Sequence, residues 1–165
     1  MAKDSSFDVV SQVDMQEVDN AFQQTLRELS QRFDLKDSGA KLELDKHGHA
    51  FTITAPSDFV LRQVLDVLNT KLVRREIDLT AVRWGANEPA SGGAVRCVGA
   101  IVSGIDADTA KRIGKDIRDS KLKVKSQIEG DKLRVSAASK DELQAVIRLL
   151  READYGLPLQ FVNYR

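Results

Sequence analysis

Lys123–Leu150, KVKSQIEGDKLRVSAASKDELQAVIRLL, can be laid without a gap on Lys41–Leu68, KLELDKHGHAFTITAPSDFVLRQVLDVL, at a constant offset of 82 (123 − 41). Seven of the 28 positions are identical: Lys41 with Lys123, Gly48 with Gly130, Ala55 with Ala137, Ser57 with Ser139, Leu61 with Leu143, Val64 with Val146 and Leu68 with Leu150. The periodicities agree as well. In the later copy Val124, Ser126 and Ile128 alternate with Lys123, Lys125 and Gln127, the period of a strand with one face turned inward. Glu129-Gly130-Asp131 makes a turn, and Leu133, Val135 and Ala137 alternate with Lys132, Arg134 and Ser136 on a returning strand. Ser139 with Glu142 three residues on forms a capping box for a helix whose apolar face carries Leu143, Val146, Ile147 and Leu150. The earlier copy has the same grammar: Leu42 and Leu44, then Phe51, Ile53 and Ala55, then Ser57 capping a helix with Leu61, Val64, Leu65, Leu68 and Leu72. Two copies of one unit imply an internal duplication.

Outward from each copy the same flanks recur. Phe7, Val9, Ser11 and Val13 predict a strand over 6–13. Asp14 with Glu17 opens a helix whose stripe is Met15, Val18, Phe22, Leu26, Leu29 and Phe33. Residues 77–84 read as a strand, and GANEPASGG at 85–93 is a Gly/Pro/Ser-rich linker. A strand over 94–102 follows, then a helix capped by Asp106 and running to Asp119 with Ala110, Ile113 and Ile117 in line, and a last strand over Leu159–Tyr164. The order strand, helix, strand, strand, helix, strand therefore occurs twice. A βαββαβ unit of this length folds as a four-stranded antiparallel sheet with two helices on one face, so the expected class is α+β, a duplicated ferredoxin-like sandwich. Right-handed crossovers put the first and third strands of each unit at the centre and leave the opposite sheet face free.

Charge is the sharpest functional signal. The 165 residues carry 25 Lys/Arg and 25 Asp/Glu, a formal charge of zero, yet Lys111–Val135 holds nine basic residues against four acidic ones, while residues 1–60 hold six against eleven. Lys123, Lys125, Lys132 and Arg134 can share one exposed sheet face and are the candidate nucleotide-binding residues. Phosphates call for Lys or Arg, and an Arg fork can also hold the O6/N7 edge of guanine. The ordinary alternative is a solvated face that keeps the sheet soluble. Removing these charges is expected to leave stability almost unchanged. A sheet that reads single-stranded RNA stacks bases on aromatics of its central strands, and the returning strand offers Leu133 and Val135 instead, with only Phe7, Phe161 and Tyr164 nearby.

Other chemistry is poorly supported. There is no GxxxxGK[ST], no GxGxxG after a strand, no CxxC and no HExxH, which argues against NTPases, dinucleotide oxidoreductases and zinc enzymes; no catalytic residue, cofactor or metal site is expected. His47 and His49 read as a solvated turn, Cys97 as a reduced, buried strand cysteine, and the RxxD string Arg151–Asp154 as a chance match in a charged chain. With no long apolar run and no signal-peptide pattern, the expected location is the cytoplasm and no membrane contact is expected.

SFDVVSQVD near the start, RFDLK at 32–36, GIDADTAKRI at 104–113, DSKLKVKSQIEGDKLRV at 119–135 and LQFVNYR at 159–165 resemble the YajQ family of bacterial proteins, in order and over almost the whole chain. The resemblance implies two ferredoxin-like domains, residues 14–102 and residues 1–13 plus 103–165, in which the first strand of each half completes the sheet of the other. It further implies a non-enzymatic nucleotide-binding protein, a cyclic di-GMP effector that passes its signal to a protein partner. A general tRNA or RNA binder and a structural protein-interaction module are the alternatives. This chain departs from the family pattern at Leu35 and Asp37, where Phe and Gly are usual, and at 102–103, where a Lys-Gln pair is usual.

Overall fold

The computed structural model describes residues 4–165. In chain order its elements are β1 (Ser5–Val10), α1 (Met15–Gln31), β2 (Lys41–Asp45), β3 (Ala50–Ala55), α2 (Asp58–Arg74), β4 (Val82–Trp84), β5 (Glu88–Pro89), β6 (Val95–Ile101), α3 (Ala107–Asp119), β7 (Lys125–Glu129), β8 (Lys132–Ala137), α4 (Lys140–Glu152) and β9 (Gln160–Val162). The chain divides into two compact units: Val13–Val102, and the segment ending at Gln12 together with Ser103–Arg165.

In the Val13–Val102 unit the sheet order is β2-β3-β6-β4, all antiparallel, with β5 adding a two-residue pairing to β6. Asp14 starts α1 by accepting hydrogen bonds from the amides of Gln16 and Glu17, and Ser57 starts α2 by accepting from Val60. Phe51, Ile53 and Ala55 of β3 face Leu61, Val64, Leu68 and Leu72 of α2 in one buried core, with Val18 and Ala21 of α1 packed in. The helix stripe ends earlier than its period suggests. Arg32 caps α1 in an extended conformation, and Phe33 stands 91% exposed on the following turn. It is Leu35 that enters the interior there.

One further expectation is corrected here. Residues 77–84 do not form one strand, because the Asp78 carboxylate accepts from the amide of Thr80 and closes a 3-10 turn over Leu79–Ala81 before β4 begins. The Gly/Pro/Ser-rich stretch at 85–93 lies inside the Val13–Val102 unit, where it returns the chain through β5 to β6. Trp84 lies across Gly99, where an added Cβ would come within 2.8 Å of the indole, and it stacks on Phe51 at 6.2 Å. Cys97 is buried on β6 beneath this sheet face.

The other unit has the sheet order β7-β8-β1-β9, again antiparallel throughout. The first strand of the chain thus sits at the centre of the sheet built by the second half, between β8 and β9, and β6 takes the equivalent central place in the sheet of the first. This is the exchanged ferredoxin-like arrangement. The duplication is visible in it: β3 and β8 begin at residues 50 and 132 and α2 and α4 at 58 and 140, the same offset of 82 (132 − 50; 140 − 58). Leu133, Val135 and Ala137 pack with Phe7 and Val9 against Ile113, Ile117, Leu143, Val146 and Leu150. Burying each such aliphatic chain contributes about 1.5–3 kcal/mol. Gly104, at φ 92°, donates its amide to the Ser11 carbonyl at 2.5 Å and leaves no room for a Cβ beside Asp131. β7 starts later than the alternation suggests. Lys121 is left-handed at φ 61° and the Val124 amide bonds back to the Leu122 carbonyl, so Lys123 lies in a turn before the strand.

Candidate functional site

Opposite residues in an antiparallel pair share a face. β8 pairs with β7 so that Lys132 faces Glu129, Arg134 faces Gln127 and Ser136 faces Lys125, and β1 pairs on the other side so that Asp8 faces Arg134. Lys125, Lys132 and Arg134 therefore do share the sheet face turned away from the helices. Lys123 is exposed outside the strand. Leu133 and Val135 lie on the helix side and are fully buried, as is Phe7, so none of them can present a stacking surface on the free face.

One member of this face was not singled out from the sequence, and it changes the electrostatics. Asp8 of β1 is nearly inaccessible, its side chain only 2% exposed, between Lys132 and Arg134 of the neighbouring strand. Oδ1 accepts from Arg134 Nε at 3.3 Å; Oδ2 accepts from Lys132 Nζ at 3.3 Å and from Asn163 Nδ2 at 2.8 Å. Burial pushes the carboxyl upward, but hydrogen bonds from Asn163, Arg134 and Lys132 outweigh it and hold Asp8 below the ordinary carboxylate range. Lys132 and Arg134 thus neutralise an internal carboxylate, and this ties them to the fold. Glu129 lies 4.0 Å from Arg134 Nη2. Three positive charges (Lys125, Lys132, Arg134) against two negative ones (Asp8, Glu129) leave one net positive charge on this patch.

Arg134 is nonetheless well presented. Nε is engaged by Asp8 and Nη2 lies 4.0 Å from Glu129, so the guanidinium is held at both ends while it lines the surface on the β7 side. There a depression of about 550 Å³ runs along β7 and the end of α3, lined by Arg118, Lys125, Ser126, Gln127, Arg134 and Ser136 among others, with three cations and no carboxylate. Arg118 comes from the last turn of α3, where a cation also complements the helix dipole. The groove between α1 and α2 is larger, about 580 Å³, but mixes Arg27, Lys71, Arg74 and Arg75 with Glu17, Glu28 and Glu76. Its charges already answer one another, as in the Lys71–Glu28 pair at 2.9 Å and the Arg75–Glu17 pair at 3.6 Å.

The remaining sequence candidates are engaged elsewhere. Arg151 lies over the Phe161 ring at 5.5 Å, and Asp154 accepts from the Gly156 amide, so the RxxD string is not assembled as a unit. His47 and His49 sit in a turn closed by the Asp45 carboxylate, which accepts from the amides of His47 and Gly48. Among the described residues no helix is long and apolar enough to cross a membrane.

A family model described as "Nucleotide-binding protein YajQ-like" matches residues 5–165. Curated proteins named "Nucleotide-binding protein" align with it end to end. One from Desulfitobacterium hafniense and one from Alkaliphilus oremlandii are each 50% identical over 165 residues, covering all of both chains. One from Nocardia farcinica is 51% identical over 164 residues, covering 98% of this chain and 99% of the relative. With a full-length match to the family model and half of all positions shared with these relatives, the chain belongs to the YajQ-like family.

Proposed function

We propose that this protein is a non-enzymatic nucleotide binder that holds a phosphate-bearing nucleotide in the depression beside β7. Arg134 and Lys125 of the sequence-derived set contact the ligand together with Arg118, while Lys123 and Lys132 act as charges around it. The carrying observation is the acid-free lining of three cations, with Arg134 aimed by its Nε bond to buried Asp8. The family description and the names of the relatives support nucleotide binding. With Arg118 and Lys123 added, five cations against Asp8 and Glu129 leave three net positive charges (5 − 2), which suits one or two phosphates rather than a polynucleotide track that gains its affinity from many released counterions. Within that class the reading is a cyclic dinucleotide, cyclic di-GMP: two phosphates match the cations, and each guanine offers an acceptor edge to an Arg fork. The bound form then signals through a protein partner.

Calorimetry of the full chain with cyclic di-GMP, GTP and tRNA in parallel, at two salt concentrations, tests this. Cyclic di-GMP should bind with a shallow salt dependence. Lys125→Ala should weaken it about threefold and Arg134→Ala about tenfold, which lies within the range for single charged hydrogen bonds at partly exposed sites. Heat from tRNA alone with a steep salt slope would replace the small nucleotide with RNA. Unchanged affinity in Arg134→Ala and in a Lys123, Lys125 double variant would leave this face as a solvated surface.

A further inference from the structure

We propose that a second depression in the same unit, on the far side of β1 from β8, binds a flat aromatic ring bearing an anionic group, the chemical class of a nucleoside monophosphate. The site shares no lining residue with the β7 depression.

The end of the chain builds it. After β9, Asn163 adopts a left-handed conformation at φ 56°, a region Asn tolerates better than most residues, and its side-chain amide is held by Asp8 at 2.8 Å. The chain then returns to β1, where Arg165 and Ser6 exchange both backbone hydrogen bonds, at 2.9 and 3.1 Å. Between these two anchors Tyr164 is pinned against Phe7, ring centroids 5.9 Å apart and tilted by 37°. Phe7 is fully buried, yet Tyr164 remains 59% exposed. Its ring is therefore fixed by the core on one side and open on the other.

What it opens on is a depression of about 320 Å³ between the start of β1 and the first turns of α4. That volume is at the small end of ligand sites and suits one base with its sugar. Tyr164 and Leu143 supply the apolar walls, Ser5 and Gln144 the hydrogen-bonding groups, and Lys140 and Arg165 the cationic side chains, with no Asp or Glu side chain in the lining. Each element has a matching demand in the ligand. A base stacks on a pre-positioned tyrosine at little entropic cost. The Gln144 amide offers a donor and an acceptor side by side, as a base edge requires, and the two cations suit one phosphate. An uncharged aromatic would leave the cations unused, and a sugar phosphate would leave the ring uncovered.

Amide NMR spectra of the isotope-labelled full chain, titrated with adenosine monophosphate, adenosine and ribose phosphate in turn, test the assignment. Saturable shifts are expected at the Lys140 and Tyr164 amides and the Gln144 side chain, with adenosine monophosphate binding at least about threefold more tightly than either fragment, since each fragment lacks one of the two recognised groups. Tyr164→Leu should weaken binding about tenfold, as loss of a stacked base does. Lys140→Ala and Gln144→Ala, both at exposed helix positions, should each weaken it about threefold with the rest of the spectrum unchanged. Lys125→Ala, which does not touch Asp8, should leave these shifts as they are. Absence of shifts at Gln144 and Tyr164 up to millimolar ligand, equal binding of ribose phosphate, or full affinity in both Lys140→Ala and Gln144→Ala would overturn the site. Shifts confined to Lys125–Gln127 would overturn it while leaving the β7 reading intact.

Discussion

Replacing Asp8 by Asn removes one charge from the centre of a sheet while preserving its shape, and the structure sets the size of the effect. The wild-type carboxylate accepts three hydrogen bonds, two of them from cations at 3.3 Å. Such bonds contribute about 1.5–3 kcal/mol when well formed and desolvated. Here both are long, and the Lys132 and Arg134 side chains are each 34% exposed, so water recovers much of what the carboxylate supplied. About 1–2 kcal/mol should therefore be lost at neutral pH. The pH dependence carries a sign. The folded-state pKa of Asp8 is depressed below 3.8, so its contribution is present above that value and is lost as pH falls through the lower folded value. Asp8→Asn should thus differ from wild type by a constant amount between about pH 5 and 8, and the difference should shrink below about pH 4. Urea unfolding followed by tyrosine signals from Tyr155 and Tyr164 reports this unit, while the single tryptophan, Trp84, reports the other. A variant within about 0.5 kcal/mol of wild type at pH 7, the range of an ordinary surface change, would refute the reasoning and show that the two cations are satisfied by solvent alone.

Other expectations follow from single contacts. Gly99→Ala should cost about 1–3 kcal/mol and alter Trp84 fluorescence, because its Cβ would stand 2.8 Å from the indole in a packed region. Tyr155→Phe deletes the 2.6 Å hydrogen bond from its hydroxyl to Asp116 and should cost about 0.5–1.5 kcal/mol by urea denaturation. Burial, aided by that bond, raises the Tyr155 hydroxyl above its ordinary value of 10, so wild-type stability should be complete below that pH and decline above it; Tyr155→Phe should abolish this part of the alkaline decline. Phe33→Ser, at a side chain 91% exposed, should leave the midpoint within about 0.5 kcal/mol of wild type, the opposite of what membership in the α1 stripe would require.

What the sequence by itself determined is everything that repeats over short distances. Period-two alternation placed β3 and β8, Ser57 and Ser139 marked two helix starts through their own hydroxyls, and the offset of 82 exposed the duplication, because strand faces, caps and helix stripes are decided by neighbours within about four residues. Local rules also misled where one side chain overruled the pattern, as Asp78 did by closing a turn inside an apparent strand and as Leu35 did by taking the interior place expected for Phe33. The candidate site was legible only in part. Lys125 and Arg134 stood out by alternation, and Arg118 lay in the basic stretch without a signal that the end of α3 would pass beside β7. Asp8 could not be found this way. Its partners are 124 and 126 residues distant, and its meaning depends on which strand β1 pairs with and in which register. Tyr164 likewise looked like one more terminal aromatic until the pairing of Arg165 with Ser6 set it against Phe7. A strand's hydrogen-bonding edge is chemically the same for every partner, so the choice among them rests on the burial and charge pairing of the whole sheet, and that is a property of the tertiary structure.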